Sequence, residues 1–175
     1  PNDLEARAGV RLLQPRELPL DPILVEEQNA LTALAAGRNT VPVFGDLTGD
    51  GLPDLLAGNA AGQLFFFRNL GPRENPRWEK VTDRFTGNDQ GRNAAPALAD
   101  VDGDGDLDLF VGTETGQVKV WENQGAKAKP VFKARPEMLR TVQVGNNAVP
   151  VFIDLDNDGK PELLVGNLKG MLFLY

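Results

Sequence analysis

Cysteine, histidine and serine are all absent from this 175-residue sequence. Their absence excludes a nucleophile–histidine hydrolase site and any zinc site built from cysteine or histidine ligands. It also removes the usual indication of redox compartment. No apolar run approaches the roughly 20 residues of a membrane-spanning helix. No basic-then-apolar leader follows Pro1, so we expect any export signal to have been removed or to lie outside this sequence.

Negative charge is concentrated in a small part of the chain. The formal net charge is -7, and 12 of the 25 acidic residues lie in three nine-residue segments. Because the remainder of the chain would be slightly basic, the acidity belongs to these segments. An acidic chain of this kind is unsuited to a phosphate backbone, so we expect no nucleic-acid partner. The acidic segments are Asp46–Asp54, Asp100–Asp108 and Asp154–Glu162.

The acidic segments define an internal repeat. Their first residues are 54 positions apart in both steps, so the repeats begin near residues 41, 95 and 149. Short apolar runs before and after each segment, separated by Gly, Asn and Pro, predict up to four strands per repeat. Repeats of this length and content are typical of radially stacked sheets. One aromatic position recurs and is expected to pack between neighbouring repeats, as Phe67, Trp121 and Tyr175.

The N-terminal part of the chain is interpreted by its register with the repeats. Residues 1–17 show no clean period and are assigned to an N-terminal arm. Residues 18–40 match the end of a repeat when shifted by 54 positions, since Pro22, Gly37 and Asn39 then fall on proline, glycine and asparagine. We therefore predict that residues 18–40 form the outer strand of an incomplete repeat. A helix over residues 26–36, which are rich in Ala, Leu and Glu, is the alternative.

The acidic segments have the pattern of loops that wrap a divalent cation. In the second segment five aspartates alternate along nine residues, and Gly105 permits a sharp turn between them. Clustered carboxylates repel one another unless a cation lies among them. Calcium suits such an oxygen cage better than magnesium, which prefers to keep its waters. The alternative is that the segments are acidic turns without an ion.

An EF-hand loop begins with a similar alternation of aspartates and is the competing interpretation. It requires a bidentate Glu at its twelfth position and a helix on each side. The twelfth positions here are Ala57, Val111 and Val165, and the residues that follow have the pattern of strands. These features favour a loop that closes within a β-hairpin, with its last acid at the ninth position.

At these segments the sequence resembles the integrin-like FG-GAP/VCBS repeat family. The resemblance rests on VPVFGDLTGDGLPDLLAGN with FFFRNLG, on APALADVDGDGDLDLFVGT with VWENQG, and on VPVFIDLDNDGKPELLVGN. It covers residues 41–175 directly and 18–40 by register. The family implies an all-β fold, with residues 18–175 forming a β-propeller unit of about three four-stranded blades. It also implies a calcium-binding hairpin loop between the first and second strands of each blade.

The resemblance further implies which residues bind about three calcium ions. Side chains at the first, third, fifth and ninth loop positions supply oxygens, and the seventh position supplies its backbone carbonyl. Thr48 replaces a carboxylate by a neutral hydroxyl, and Glu162 is one methylene longer than Asp. We therefore expect the second site to be tightest and the first weakest. The implied ligands are Asp46, Thr48, Asp50, Leu52, Asp54, Asp100, Asp102, Asp104, Asp106, Asp108, Asp154, Asp156, Asp158, Lys160 and Glu162.

These features predict a non-catalytic, calcium-stabilised scaffold for protein interaction, adhesion or assembly. The alternative is an accessory or catalytic carbohydrate-active propeller of the glycosidase or lyase type, although no acid outside the loops lies in a distinctive motif. The expected partner is a protein or a glycan. Three blades do not readily enclose an axis, so we also expect a homo-oligomer or a place in a larger propeller or complex. Calcium supply favours an extracellular, periplasmic or cell-surface location.

Overall fold

The computed structural model describes residues 34–87 and 90–175. These residues form eleven β-strands and no helix, so none of their segments could cross a membrane as a helix. The predicted arm 1–17 and most of the predicted outer strand in 18–40 lie outside the described residues, and residues 34–40 form no strand. The strands are β1 (Val41–Gly45), β2 (Asp54–Gly58), β3 (Leu64–Asn69), β4 (Trp78–Thr82), β5 (Ala95–Ala99), β6 (Asp108–Gly112), β7 (Val118–Asn123), β8 (Phe132–Ala134), β9 (Val149–Ile153), β10 (Glu162–Gly166) and β11 (Leu172–Leu174).

The strands form three antiparallel sheets, each made of strands that follow one another in the chain. The first two sheets have the order β1–β2–β3–β4 and β5–β6–β7–β8, and the third has the order β9–β10–β11. Each sheet begins at a predicted repeat boundary. The all-β class of the described residues and the four-strand content of the first two repeats are therefore confirmed, and the third repeat contributes three strands.

The sheets also share one pairing register. Because successive side chains of a strand point to opposite faces, a shared register gives every sheet the same two apolar faces. A slip of one residue would exchange those faces and expose the core. The equivalent pairs in the first hairpin of the three sheets are Val43 with Leu56, Ala97 with Phe110, and Val151 with Leu164.

Neighbouring sheets pack face to face. Leu56 and Phe66 of the first sheet lie in one buried cluster with Leu109 and Val111 of the second sheet. The second sheet thus gives one face to the first sheet and the other face to the third, which explains why its strand β6 is apolar on both sides. The second and third sheets are joined in the same way by Phe110, Val118, Val120, Leu163 and Val165.

The recurring aromatic residue is buried only where an outer strand covers it. Phe67 is 2% exposed and Trp121 is half-buried against the cluster between the first two sheets, whereas Tyr175 is 47% exposed. Phe67 pairs with Lys80 of β4, and Trp121 pairs with Ala134 of β8. No described strand lies beside Tyr175 in this way. Phe67 packs with Leu55 and Phe65 of its own sheet and with Ala36. The packing between repeats expected from the sequence is therefore confirmed for Trp121, and it is wrong for Tyr175.

Candidate metal-binding loops

Each acidic segment connects the first two strands of one sheet. Residues 46–53 join β1 to β2, residues 100–107 join β5 to β6, and residues 154–161 join β9 to β10. The EF-hand alternative is therefore wrong, because strands and not helices flank all three loops. The hairpin position predicted for the loops is confirmed. Since the sheets stack in register, the loops lie at the same end of successive sheets.

The first aspartate of each loop binds the backbone of its own loop. Asp46 accepts the N–H of Gly49 at Oδ1, at 2.7 Å, and the N–H of Gly51 at Oδ2, at 3.0 Å. The loop therefore curls around this carboxylate and holds it in a fixed orientation. Equivalent bonds run from Gly103 and Gly105 to Asp100, at 2.8 and 2.9 Å. In the third loop Asp154 accepts the N–H of Gly159 at 3.0 Å, and its other donor is the N–H of Asp158, one position later than Gly49, at 3.1 Å.

A left-handed glycine turns each loop after its fifth position. Gly105 has φ 91°, a conformation that glycine adopts without steric cost. Before it, Asp104 Oδ1 accepts the N–H of Asp106 at 2.9 Å, so the side chain fixes the turn from the other side. The fifth carboxylate thus has one oxygen facing the backbone. Asp50 and Asp158 bind Leu52 and Lys160 in the same way, at 3.0 and 2.8 Å.

In the first and second loops the carboxylate at the ninth position is buried and binds the loop to the third strand of its sheet. Asp108 is 2% exposed, and it accepts the N–H of Asn123 at 2.8 Å and the N–H of Val101 at 3.4 Å. Burial raises the pKa of the Asp108 carboxyl, and the two N–H donors oppose that shift. Burial likewise raises the pKa of the equivalent carboxyl in the first loop. There Asp54 is 0% exposed and accepts N–H groups of Asn69 and Leu47 at 2.9 and 3.1 Å.

Carboxylate oxygens converge in the second and third loops. One oxygen from each of three side chains lies within 4.8 Å of the other two, in a group that could surround a single ion. Calcium–oxygen distances of roughly 2.3–2.6 Å are compatible with oxygens at that separation. The groups are Asp100, Asp102 and Asp104 in the second loop, and Asp154, Asp156 and Glu162 in the third.

The remaining predicted ligands lie outside these groups. Asp108 faces the backbone clamp described above, and Asp158 binds the N–H of Lys160. Glu162 differs, because it belongs to the convergent group of the third loop and its Oε2 also accepts the backbone N–H of Leu155 at 2.8 Å. The backbone carbonyls of residues 52, 106 and 160 stay predictions as ligands.

The first loop differs electrostatically from the other two. Lys127 Nζ lies 3.8 Å from Asp46 Oδ2, and Arg68 Nη2 lies 3.4 Å from Asp50 Oδ2. A hydrogen bond from the Leu52 N–H is the main cause that lowers the pKa of Asp50. Among the described residues, this loop has no convergent group of three carboxylates. Two cationic side chains therefore compensate part of the negative charge of this loop.

The side chain of Thr48 bears on whether the first loop can still hold a cation. Its Oγ1 is buried beside the carboxyls of Asp50 and Asp54, and the hydroxyl acts to lower the pKa of both. A hydroxyl that donates its hydrogen keeps its oxygen lone pairs, which a hard cation accepts as a ligand. The loop thus retains an oxygen for a metal, in a site weakened by Lys127 and Arg68. No sequence pattern indicated these two cationic residues, because Lys127 lies 81 positions from Asp46 and Arg68 lies 18 positions from Asp50.

Comparison with known protein families finds the same repeat that the sequence and the sheets show. A family described as FG-GAP-like repeat matches residues 46–111 and 100–165. No curated protein matches the chain. A chain in a structure of the Photorhabdus luminescens Tc holotoxin pore, in a mutant form, is similar with a TM-score of 0.43 and 22% identity. The match covers 80% of this chain and 6% of that chain.

Proposed function

The chain belongs to the FG-GAP-like repeat family, and on that basis we propose that it is a non-catalytic, calcium-stabilised part of a β-propeller that serves as a scaffold for a protein partner. The observation that carries this proposal is the recurrence of one acidic hairpin loop in three stacked sheets. In each loop the first carboxylate accepts the backbone N–H of the glycine at the sixth position. Such a preformed set of oxygens suits a structural ion.

Calcium would be held by the side-chain oxygens that converge in the second and third loops, and more weakly by Asp46, Thr48 and Asp50 in the first. A bound calcium ion would supply the positive charge that separates these carboxylates. The chain's own contribution is to fix the carboxylates before binding, through the left-handed glycines and the buried clamp at Asp54 and Asp108. An ion that binds only the folded loop stabilises the folded state by mass action.

The acids outside the loops support a scaffold more than a catalyst. Six of them lie among the described residues, and four of these form ion pairs with lysine or arginine. A glycosidase needs two carboxyl groups facing each other across a cleft, one of them available as an acid. Paired, surface-exposed carboxylates do not fit that requirement. The ion-paired acids are Asp83, Glu114, Glu122 and Glu137.

The location and the kind of partner that we propose are argued from the proposed calcium binding. Loops of moderate affinity would be filled where calcium is abundant, with dissociation constants on the order of 10⁻⁴–10⁻³ M. We therefore place the protein at an extracellular, periplasmic or cell-surface site. A protein partner is favoured over a glycan, because the described residues offer stacked sheets whose connecting loops are exposed.

Thermal unfolding with and without calcium tests the proposal. At a calcium concentration one hundred times the dissociation constant, a single site adds about 2.7 kcal/mol to the free energy of unfolding. We expect the melting temperature of the full chain to rise by several degrees in about 10 mM calcium, one hundred times a dissociation constant of about 10⁻⁴ M, and to fall again with a chelator. Asp102→Asn should reduce the rise, whereas Asp83→Asn, outside the loops, should not.

An equal melting temperature in calcium and in chelator would contradict the calcium part of the proposal. Activity assays on a polysaccharide panel, each with and without calcium, test the non-catalytic part separately. Release of reducing or unsaturated sugar ends by the purified chain would support the carbohydrate-active alternative instead.

A further inference from the structure

The turn between β6 and β7 borders a polar recess of about 220 Å³. The recess lies at the end of the second sheet opposite the acidic loop, because β5–β6 and β6–β7 are joined at opposite ends of an antiparallel sheet. The segment that leads into β5 forms its other wall. The lining residues that bear on its chemistry are Gln90, Gly91, Thr113, Thr115, Gln117 and Lys119.

The first and third sheets fill the equivalent place with an asparagine side chain. Oδ1 of Asn59 accepts the N–H groups of Ala61 and Gln63, both at 3.0 Å. Its Nδ2 donates to the carbonyl of Ala36 at 2.8 Å. The amide thus bridges its own turn and the segment that precedes its sheet. In the third sheet the equivalent bonds join Asn167 to Lys169, Met171 and Val144, at 3.0, 3.0 and 2.6 Å.

The second sheet has threonine at this position, and the amide bridge is missing there. Thr113 is 3% exposed, and its hydroxyl donates to the carbonyl of Gln117 at 3.1 Å. Within residues 34–87 and 90–175, no acceptor binds the N–H groups of Thr115 and Gln117. These two groups are the counterparts of the N–H groups that bind Asn59 Oδ1. Two backbone donors at the recess are therefore available to an oxygen from outside the chain.

The recess results from the shorter side chain and not from a different backbone. A Cβ added at Gly91 would lie 3.9 Å from the nearest atoms, in the side chain of Thr113. A Cβ added at the equivalent Gly37 would lie 2.9 Å from Nδ2 of Asn59. The backbone bond that joins each turn to the segment before its sheet is the same in all three sheets. It runs to the carbonyls of Arg38, Arg92 and Asn146 from Ala60, Glu114 and Leu168, at 2.8, 2.8 and 2.9 Å.

The chemical group that fits the recess is a carboxamide. Its oxygen would accept the N–H groups of Thr115 and Gln117, and its NH₂ group would donate toward the carbonyl of Gln90. That carbonyl stands at the place of the acceptors that Asn59 and Asn167 use. A carboxylate has oxygens only and could not donate to a carbonyl. At the rim the guanidinium of Arg92 is paired with Glu114 at 3.7 Å, which lowers its attraction for an anion.

We propose that this recess binds the side-chain carboxamide of an asparagine or glutamine from a protein partner, in the position that Asn59 and Asn167 fill in the other two sheets. The chain itself thus supplies two examples of the occupant. Gln117 and Lys119 are exposed at the rim and can contact the rest of the partner. The inference rests on the protein-partner part of the proposed function, to which it gives a surface, and it does not depend on calcium.

Nuclear magnetic resonance of the isotope-labelled full chain, at constant calcium, tests the proposal with capped amino acids. N-acetylasparagine methylamide should shift the N–H signals of Thr115 and Gln117, with a dissociation constant on the order of 10 mM for a few hydrogen bonds. The capped alanine, which has the same backbone amides, should not shift them, and capped aspartate should bind more weakly. Thr113→Asn fills the recess with the chain's own carboxamide and should abolish the shifts. Thr40→Asn, the same exchange at an exposed position outside the recess, should respond like the parent chain.

Each alternative occupant has its own outcome in the same titrations. The absence of a shift with capped asparagine, or an equal shift with capped alanine or in Thr113→Asn, overturns the proposal. Tighter binding of capped aspartate overturns the choice of a carboxamide. Methyl N-acetylglucosaminide is the glycan probe, and shifts with it but not with capped asparagine overturn the choice of a protein partner. The amide spectrum of Thr113→Asn confirms its folding. Shifts by capped asparagine without calcium stabilisation of the chain keep this inference and refute the calcium proposal.

Discussion

The side-chain amide of Asn93 donates a hydrogen bond to the side-chain oxygen of Asn147, 54 residues further along the chain, at 3.0 Å. Both residues have φ 54°, in the left-handed region that asparagine tolerates better than most residues. Their N–H groups bind the turn of the preceding sheet, at the carbonyls of Ala60 and Glu114, at 3.2 and 2.9 Å. Equivalent residues of consecutive repeats therefore touch, and they join the sheets along one line.

Two substitutions of Asn147 should distinguish the contribution of its hydrogen bond to the free energy of unfolding from that of its left-handed backbone conformation. Asn147→Ala loses the acceptor and forces alanine into the left-handed region, so we expect a loss of about 2–3 kcal/mol in the free energy of unfolding. Asn147→Gly loses only the hydrogen bond and should cost about 1 kcal/mol. Urea unfolding measures both values. Equal losses in the two variants would mean that the left-handed backbone carries no cost here.

Glycine-to-alanine exchange should distinguish a glycine that packs against the next sheet from one that does not. The Cβ of Gly112→Ala would overlap the backbone of Ala148, and side-chain movement cannot relieve this overlap. We expect a loss of about 3 kcal/mol, as for severe overpacking. At the equivalent Gly166 the atom nearest to an added Cβ would be Leu172 Cδ2 at 3.6 Å, an ordinary contact, so Gly166→Ala is the matched control and should be within about 0.5 kcal/mol of the parent. A small effect at Gly112 would show that the sheets separate easily.

A charge added to the first loop should strengthen its calcium binding. Thr48→Asp restores a carboxylate at the third position, and ligand charge tunes the affinity of such loops. We expect affinity at this site to rise on the order of tenfold, equivalent to about 1.4 kcal/mol. Calorimetric titration of the parent and variant measures it. Thr115→Asp adds the same charge to an exposed turn outside the loops and should leave the calcium affinity unchanged; an equal gain there would indicate a nonspecific charge effect.

The buried carboxyl of Asp108 should give the calcium-free chain a distinct pH dependence. Burial raises its pKa above the ordinary 3.8, so the folded state binds this proton more tightly than the unfolded state. Its contribution to the free energy of unfolding is therefore present below 3.8 and is lost as the pH rises through the folded-state pKa.

Measurement of urea unfolding in chelator between about pH 4 and 7 isolates this contribution when the parent is compared with Asp108→Asn. The stability of the parent relative to the variant should decrease as the pH rises, and it should become constant at neutral pH. A relative stability that increases with pH would mean that the N–H groups of Asn123 and Val101 outweigh burial and lower the pKa.

Local patterns in the sequence predicted most of the fold. Apolar runs bounded by Gly, Asn and Pro located the strands of all three sheets, because hairpin pairing depends on residues close together in the chain. The alternation of aspartates around Gly105 located the loops for the same reason. The spacing of 54 residues predicted sheets built on a common plan, and the shared registers bear this out. The aromatic pattern was less reliable, since the exposure of Tyr175 depends on a neighbouring strand.

The sequence by itself determined the repeat, the strands and the position of each acidic hairpin, because backbone conformation and turn chemistry are encoded within a few residues. Only the tertiary structure decided which charges meet and which faces stay open. Lys127 reaches Asp46 because the second sheet packs on the first, Asp108 turns into a buried clamp, and Gly112 lies against the backbone of Ala148. These relationships join residues far apart in the chain, and their geometry is fixed only when whole sheets pack together.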